Sequence, residues 1–175
     1  MHCSRWIILA ALVLVLGVTW WVERTSWAAT SAPPHSVKEL EALSDQQLEA
    51  QVLTDLAGRV LGTGTTDATW RTLLPPARNV WALALVRQWV DANGLDGFAL
   101  IHERRPDLPG FRDAHDACVA MDLTSASDAL NLVSEKPGNS LALQATLQQA
   151  WATEATTTKR IAYLRLHLDE LAKAR

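Results

Sequence analysis

The chain has 175 residues, 49% of them hydrophobic, and a formal net charge of −3 at pH 7. No basic patch is interleaved with aromatic residues, so direct nucleic-acid binding is not expected. Without residues 1–24 and the linker that follows them, the remainder is long enough for one domain with its own hydrophobic core.

The first element is an apolar run over residues 6–22 that contains no charged side chain. A helix of this length is roughly 25 Å long, close to the ~30 Å hydrocarbon core of a bilayer. Trp6 lies at one end of the run and Trp20 and Trp21 lie at the other, which is typical of the two membrane interfaces. Because Arg5 precedes the run, the positive-inside rule keeps the N-terminus in the cytoplasm and sends the C-terminal part across.

Two fates of this leader are open. If it is retained, residues 1–24 form a signal anchor, the lipid bilayer is a partner through residues 6–22, and the C-terminal domain faces the periplasm on the inner membrane. The alternative is a cleaved signal peptide, because Ser26, Trp27 and Ala28 form a small-x-small site. Cleavage near Ala28 would release the protein into the periplasm. Residues 25–36 are small, polar and proline-containing, as in a short linker.

Helical periodicity predicts an all-α domain over residues 37–175, folded as a compact bundle of about six or seven helices. The sequence SDQQ at 44–47 fits a capping box. A stripe of apolar residues then recurs every four positions on a helix that ends near Gly62: Leu48, Val52, Leu56 and Val60. Residues 70–74 are predicted to be a short helical turn closed by Pro75 and Pro76.

The strongest core candidate is a helix over residues 77–93, which is apolar around most of its circumference. Gly94 is predicted to terminate it. Further helices are predicted over residues 98–103, 110–121, 125–135, 141–155 and 159–174. Three consecutive β-branched threonines at 156–158 predict a break between the last two. No stretch alternates β-branched and polar residues as a strand would.

Charge is unevenly distributed along the domain. Residues 91–135 contain nine acidic residues and three arginines, a net charge of −6, whereas residues 136–175 contain six basic and three acidic residues, a net charge of +3. Solvated helix faces of mixed sign are one interpretation. The other is a contact surface for an unknown partner protein or a second copy of the chain, formed by Asp91, Asp96, Glu103, Asp107, Asp113, Asp116, Asp122 and Asp128.

The sequence contains no catalytic signature. His102-Glu103 and His115-Asp116 are compact groups of potential ligands, but neither has the spacing of a metalloprotease motif. The sequence GTGTTD at 62–67 lacks the preceding strand and the following lysine of a phosphate-binding loop. We therefore expect no enzyme activity, no metal site and no cofactor.

The remaining cysteine of the domain is Cys118. Cys118 is the only cysteine after Cys3, so the exported part has no intrachain disulfide, and its apolar helical setting predicts a buried, inert thiol.

The alternative to a protein-binding domain is a small ligand-binding or hydrolytic domain. Its cleft would be lined by Trp81, Trp89, Phe98 and His102.

Residues 89–132 carry a family resemblance, centred on the sequence NGLDGF at 93–98. A helix leads into this turn, an irregular stretch follows, and two short alanine-rich helices come next. This order resembles the C-terminal domain of the bacterial DNA-mimic protein family, a domain otherwise of unknown function. Residues 77–135 form the core of the likeness, and 160–171 are similar to the closing helix of the family. The family-like turn comprises Asn93, Gly94, Gly97 and Phe98, and Asp122 stands where the family usually has a glycine-containing turn.

The resemblance implies an all-helical fold and binding through surface shape and charge. DNA mimicry itself requires carboxylates at phosphate-like spacing, and a net charge of −3 is weak for that purpose. Export would also separate the chain from DNA-binding proteins. We therefore expect a membrane-anchored or exported protein–protein interaction domain, and a DNA-mimic inhibitor is the weaker alternative.

Overall fold

The computed structural model describes residues 35–61, 69–135 and 140–173. These residues contain no strand and fold into α-helices with one short 3₁₀ helix, so the predicted all-helical class is confirmed. The described part has eight α-helices, slightly more than expected from periodicity. In chain order the elements are α1 (Val37–Glu41), α2 (Asp45–Leu61), the 3₁₀ helix (Thr69–Thr72), α3 (Pro75–Arg104), α4 (Phe111–Ala120), α5 (Thr124–Glu135), α6 (Ser140–Ala152), α7 (Glu154–Leu166) and α8 (Leu168–Lys173).

Serine caps precede the first two helices. The Ser36 backbone N–H donates to the Glu39 carboxylate at 2.6 Å, and the Ser36 hydroxyl accepts from the Glu39 backbone N–H, which completes a capping box. Before α2, the Ser44 backbone N–H donates to the Gln47 side chain at 3.2 Å, as the sequence predicts. The predicted apolar stripe of α2 faces the core, where three of its members are fully buried: Leu48, Val52 and Leu56.

The longest helix, α3, begins earlier than predicted. Pro75 and Pro76 occupy its first turn, where a missing backbone N–H removes no helical hydrogen bond. These prolines follow the short helical turn, as predicted, but they also start α3, two residues before its predicted beginning. The helix bends at Gly94, whose φ of 73° and ψ of 173° lie in a region open essentially to glycine alone. We call residues 75–93 the proximal arm and residues 95–104 the distal arm.

Helices α4 and α5 form a hairpin, in which α4 packs on α3 while α5 packs on α4 and α6. Their buried positions are mostly small, which allows the helix axes to come close. The small residues that are fully buried are Ala114, Ala117, Cys118, Ala126 and Ala129. Between the two helices Asp122 has a left-handed φ of 55°. Lys159 of α7 donates to both its carbonyl and its carboxylate oxygen at 2.7 Å, which ties α7 to this turn.

The C-terminal helices break at other residues than predicted. The threonines at 156–158 lie inside α7, and the break falls at Thr153. The Thr153 hydroxyl accepts from the backbone N–H of Thr156 at 3.2 Å and so caps α7. A second break at His167, which the sequence analysis does not predict, separates α7 from α8. Capping, not β-branching, decides where this part of the chain turns.

Helix α3 is the centre of the fold, because α2, α4, α6 and α8 all pack against it. The first and last described helices, α1 and α8, pack against each other. Side chains reinforce this closure: Arg59 of α2 donates to the Leu171 carbonyl at 2.8 Å, and Arg165 of α7 donates to the Leu43 carbonyl at 2.7 Å.

The predicted membrane segment over residues 6–22 lies outside the described residues, as does the GTGTTD sequence at 62–67. Of the predicted linker, only His35 and Ser36 are described. Within the described part of the chain, no helix has the length and apolar character needed to cross a bilayer.

Candidate functional site

An open cleft of about 770 Å³ separates part of α2 from the proximal arm of α3. Lining residues on each helix are mostly three or four positions apart, so each helix contributes one continuous strip. The α2 strip consists of Gln46, Glu49, Ala50 and Leu53. The α3 strip consists of Val80, Leu83, Ala84, Arg87, Gln88, Asp91 and Ala92. The volume falls within the range of about 300–1,000 Å³ that is usual for small-molecule sites.

The floor of the cleft belongs to the hydrophobic core. Met121, which follows α4, Trp151 from α6 and Leu164 from α7 all line it, and each is at most 5% exposed. Leu83 adds an apolar wall from α3. Covering apolar surface stabilises by roughly 25 cal/mol for each Å² removed from water. An apolar occupant that displaces water from this floor is therefore favoured.

Two arginines stand at the rim with different partners. Arg160 donates through Nε and Nη2 to the two carboxylate oxygens of Glu49, at 2.9 and 3.1 Å. The Arg87 Nε lies 3.9 Å from the Asp91 carboxylate, beyond hydrogen-bond distance. Asp91 instead accepts from the Gln148 amide at 3.2 Å. Among the described residues, the Arg87 guanidinium thus has no hydrogen-bond acceptor.

Arg87 is 39% exposed and forms a long ion pair with Asp91, whereas the floor contains a donor that is buried. The indole Nε1 of Trp151 is buried and has no hydrogen-bond partner among the described residues. Such a donor costs about 1–3 kcal/mol relative to a hydrogen-bonded one. Native structures contain few of them, and each calls for a physical reason.

The eight predicted surface carboxylates fall into two groups. Five have a partner within the described part, and these five are Asp91, Asp107, Asp113, Asp116 and Asp122. Asp107 is held by the Arg105 guanidinium at 2.9 and 2.7 Å, and these hydrogen bonds lower the pKa of Asp107. Asp113 accepts from the Gly110 backbone N–H at 2.8 Å and so caps α4.

The other group consists of Asp96, Glu103 and Asp128, which are exposed and whose carboxylates have no partner among the described residues. Asp96 and Glu103 are seven positions apart on the distal arm, so they share one face of it. Leu100 lies between them on that face and is 51% exposed. We call Asp96, Ala99, Leu100 and Glu103 the distal-arm face.

The family-like turn forms the bend of α3. The Asn93 amide donates to the Trp89 carbonyl at 3.0 Å, next to the left-handed Gly94. A Cβ on Gly97 would lie 2.9 Å from the Asn93 Cβ, so the bend leaves little room for a side chain there. Phe98 is buried and meets the Phe111 ring at a centroid distance of 4.7 Å in an edge-on arrangement.

The histidines serve separate parts of the molecule. His102 stacks on Phe98 and packs under Gly110, where a Cβ would lie 2.6 Å from the imidazole Nε2. The His115 Nδ1 lies 3.3 Å from the Asp116 carboxylate. The described residues contain no group of three or more potential metal ligands.

The cleft predicted from the tryptophans is not the one observed. Trp81 and Phe98 are buried in the core, and the open cleft is lined by the α2 and α3 strips given above. Cys118 is buried, as predicted. Desolvation raises the pKa of its thiol to about 12, so the thiolate is scarce at neutral pH and the side chain is a poor nucleophile.

No family model matches the chain. No curated protein and no solved structure matches it either. The function therefore has to be inferred from the cleft, the distal-arm face and the leader.

Proposed function

We propose that this chain is a membrane-anchored or exported helical domain that acts by binding another protein and not by catalysis. The observation that carries this proposal is the distal-arm face. Leu100 offers apolar contact area in solvent, and the flanking Asp96 and Glu103 carboxylates have no partner among the described residues. Carboxylates that are not engaged within the fold are available to steer and pair with a basic partner surface.

The placement of the domain is part of the proposal. The apolar leader over residues 6–22 would keep the N-terminus in the cytoplasm and the helical domain in the periplasm. A C-terminal tag tests this in intact spheroplasts: protease added from outside should remove it. A tag that survives until the cells are lysed would contradict the proposed location.

We further propose that the domain belongs with the C-terminal domain of the bacterial DNA-mimic protein family. Two local features support this. The NGLDGF stretch forms a bend between two helical arms, and Asp122 has the left-handed backbone that suits the family's glycine-containing turn. Binding through surface shape and charge, not DNA mimicry, is the property that we propose the chain retains.

Photo-crosslinking in the living cell tests the contact surface. Benzoylphenylalanine is placed at Leu100 in the full chain, and irradiation should yield a covalent adduct of discrete mass with one protein. The matched control position is Leu166, which is also strongly exposed but lies at the end of α7. The control should give no adduct of the same mass.

Charge reversal gives the second arm of this experiment. In the Asp96→Lys, Glu103→Lys double variant the Leu100 adduct should disappear, because like charges would repel a basic partner. The same double reversal made at Asp169 and Glu170 of α8 is the matched control and should leave the adduct in place. Equal adducts from Leu100 and Leu166, or an adduct indifferent to charge reversal, would contradict the proposed surface.

A further inference from the structure

We infer that the cleft between α2 and α3 is a separate binding site for a small amphiphile with an apolar body and a carboxylate or similar anionic head. This inference goes beyond the proposed protein contact and does not depend on it, since the distal-arm face contributes no residue to the cleft. It rests on the apolar floor, the engagement of the rim carboxylates, an exposed rim arginine with only a long ion pair, and one buried donor without an acceptor among the described residues.

The apolar floor selects the body of the ligand. Leu83, Met121 and Leu164 line a concave surface of the size that encloses a small molecule. These side chains offer no hydrogen bond, so a polar body would lose its water without replacement. An aliphatic or aromatic body, by contrast, gains from leaving water.

The rim selects the sign of the head group. Both oxygens of Glu49 are already taken by Arg160, and Asp91 accepts from Gln148. A cationic head would have to compete with Arg160 at Glu49, and with Arg87 and Gln148 at Asp91. Arg87, in contrast, has no hydrogen-bond acceptor among the described residues, and its carboxylate neighbour is 3.9 Å away. A ligand carboxylate can accept two parallel hydrogen bonds from such a guanidinium.

Trp151 of the floor contains a buried donor without a partner among the described residues. Trp151 lines the cleft floor and is only 2% exposed, and its indole N–H has no partner within the described part. A ligand with an acceptor at the floor would satisfy this donor. The unmet hydrogen-bonding capacity of the cleft is therefore donor capacity, which an anionic or acceptor-bearing ligand complements.

Octanoate is the probe, and the full chain in lipid nanodiscs is the sample. The readout is the indole ¹H–¹⁵N resonance of Trp151, assigned with the Trp151→Phe variant and compared with empty nanodiscs that report partitioning into lipid. We expect a saturable shift of this resonance. Arg87→Gln should weaken octanoate binding by about tenfold or more, because it removes a charge-assisted hydrogen bond.

Two further variants test whether octanoate binds in the cleft and not elsewhere on the protein. Arg78→Gln removes an exposed arginine from the same helix outside the cleft and should leave octanoate binding unchanged. Ala84→Trp fills the cleft from the α3 strip and should abolish binding while the far-ultraviolet circular dichroism stays helical.

Four results would overturn the inference. The first is a Trp151 resonance that does not respond to millimolar octanoate. The second is binding that Arg87→Gln leaves intact. The third is octylammonium binding as tightly as octanoate, which would refute the anionic head. The fourth is a protein adduct from benzoylphenylalanine at Ala84, which would assign the cleft to a protein segment; the Leu100 adduct reports separately on the proposed function.

Discussion

Two of the helices that pack on α3, α2 and α4, approach it in different ways. Helix α4 packs on α3 through small buried side chains such as Ala114 and Ala117, and the cavity between the two helices, lined by Asn79 and Asp113 among others, measures only about 210 Å³. Helix α2 turns its leucine stripe into the core, and its strip from Gln46 to Leu53 stands apart from α3 across the cleft. Side-chain size at the helix contacts thus separates a closely packed flank from an open flank, and the open flank has the larger cavity, with an apolar floor.

The largest expected effect on stability comes from an alanine-to-leucine substitution, made once in the closely packed flank and once in the open flank. Ala117→Leu adds three carbon atoms to a fully buried position of the hairpin and should lower the free energy of unfolding by about 3 kcal/mol. Ala50→Leu makes the same change in the exposed α2 strip and should alter it by less than about 0.5 kcal/mol. Urea unfolding followed by circular dichroism measures both.

The Ala117→Leu and Ala50→Leu variants test directly whether the two flanks differ in packing. If Ala50→Leu destabilises as strongly as Ala117→Leu, the cleft is closed in solution and the open flank does not exist. If neither variant is destabilised, the hairpin is not closely packed. Thermal unfolding of the two variants provides a second measurement of the same difference.

Gly110→Ala should have the next largest effect, on the packed flank. The added Cβ would lie 2.6 Å from the His102 Nε2, and the ring is held against Phe98, so it has little freedom to move. We expect a loss of about 2 kcal/mol in the free energy of unfolding. His102→Ala removes the obstructing ring, so the double variant should lose clearly less than the sum of the two single variants. Additive losses would show that the close contact is absent.

The sequence predicts the helices of both flanks but not the difference between them. The four-residue repeat of Leu48, Val52 and Leu56 identifies the buried face of α2, because burial alone imposes that period. The breaks at Thr153 and His167 depend on individual hydrogen bonds, so β-branching places the first at the wrong residues and periodicity does not predict the second. The interruption at Gly94 follows from a glycine after a long apolar helix, but the sequence predicts a helix end there and not a bend between two arms.

The candidate site is less visible in the sequence than the fold. Ala50 and Leu53 resemble any partly apolar helix face, and the cleft arises from the distance between two helices, which no local pattern encodes. Whether an acidic residue is available for a partner also depends on distant residues. Asp122 is engaged by Lys159, 37 positions away, whereas Asp96 has no partner among the described residues. A count of charges cannot separate the two.

A substitution at the rim of the cleft should have the next largest effect on the free energy of unfolding. Glu49→Gln removes the negative charge that pairs with Arg160, and the Arg160 side chain is only 12% exposed. We expect a loss of about 1–2 kcal/mol, because a poorly hydrated guanidinium is left without its counter-charge. Asp45→Asn is the matched control, since its ion pair with Arg165 is more exposed and should contribute less than about 0.5 kcal/mol. Equal losses in the two variants would mean that the cleft rim is as solvated as an ordinary surface.

The smallest effect distinguishes backbone from side chain at the turn of the packed hairpin. Asp122→Ala should cost about 1 kcal/mol, because alanine tolerates the left-handed φ of 55° less well than aspartate and offers no carboxylate to Lys159. Asp122→Gly also loses the carboxylate but suits the backbone, so it should be the more stable variant of the two. Lys159→Met isolates the loss of the lysine contacts. If Gly and Ala are equally destabilised in urea unfolding, the ion pair and not the backbone holds the turn, and the close approach of α4 to α5 depends on α7 as well as on small side chains.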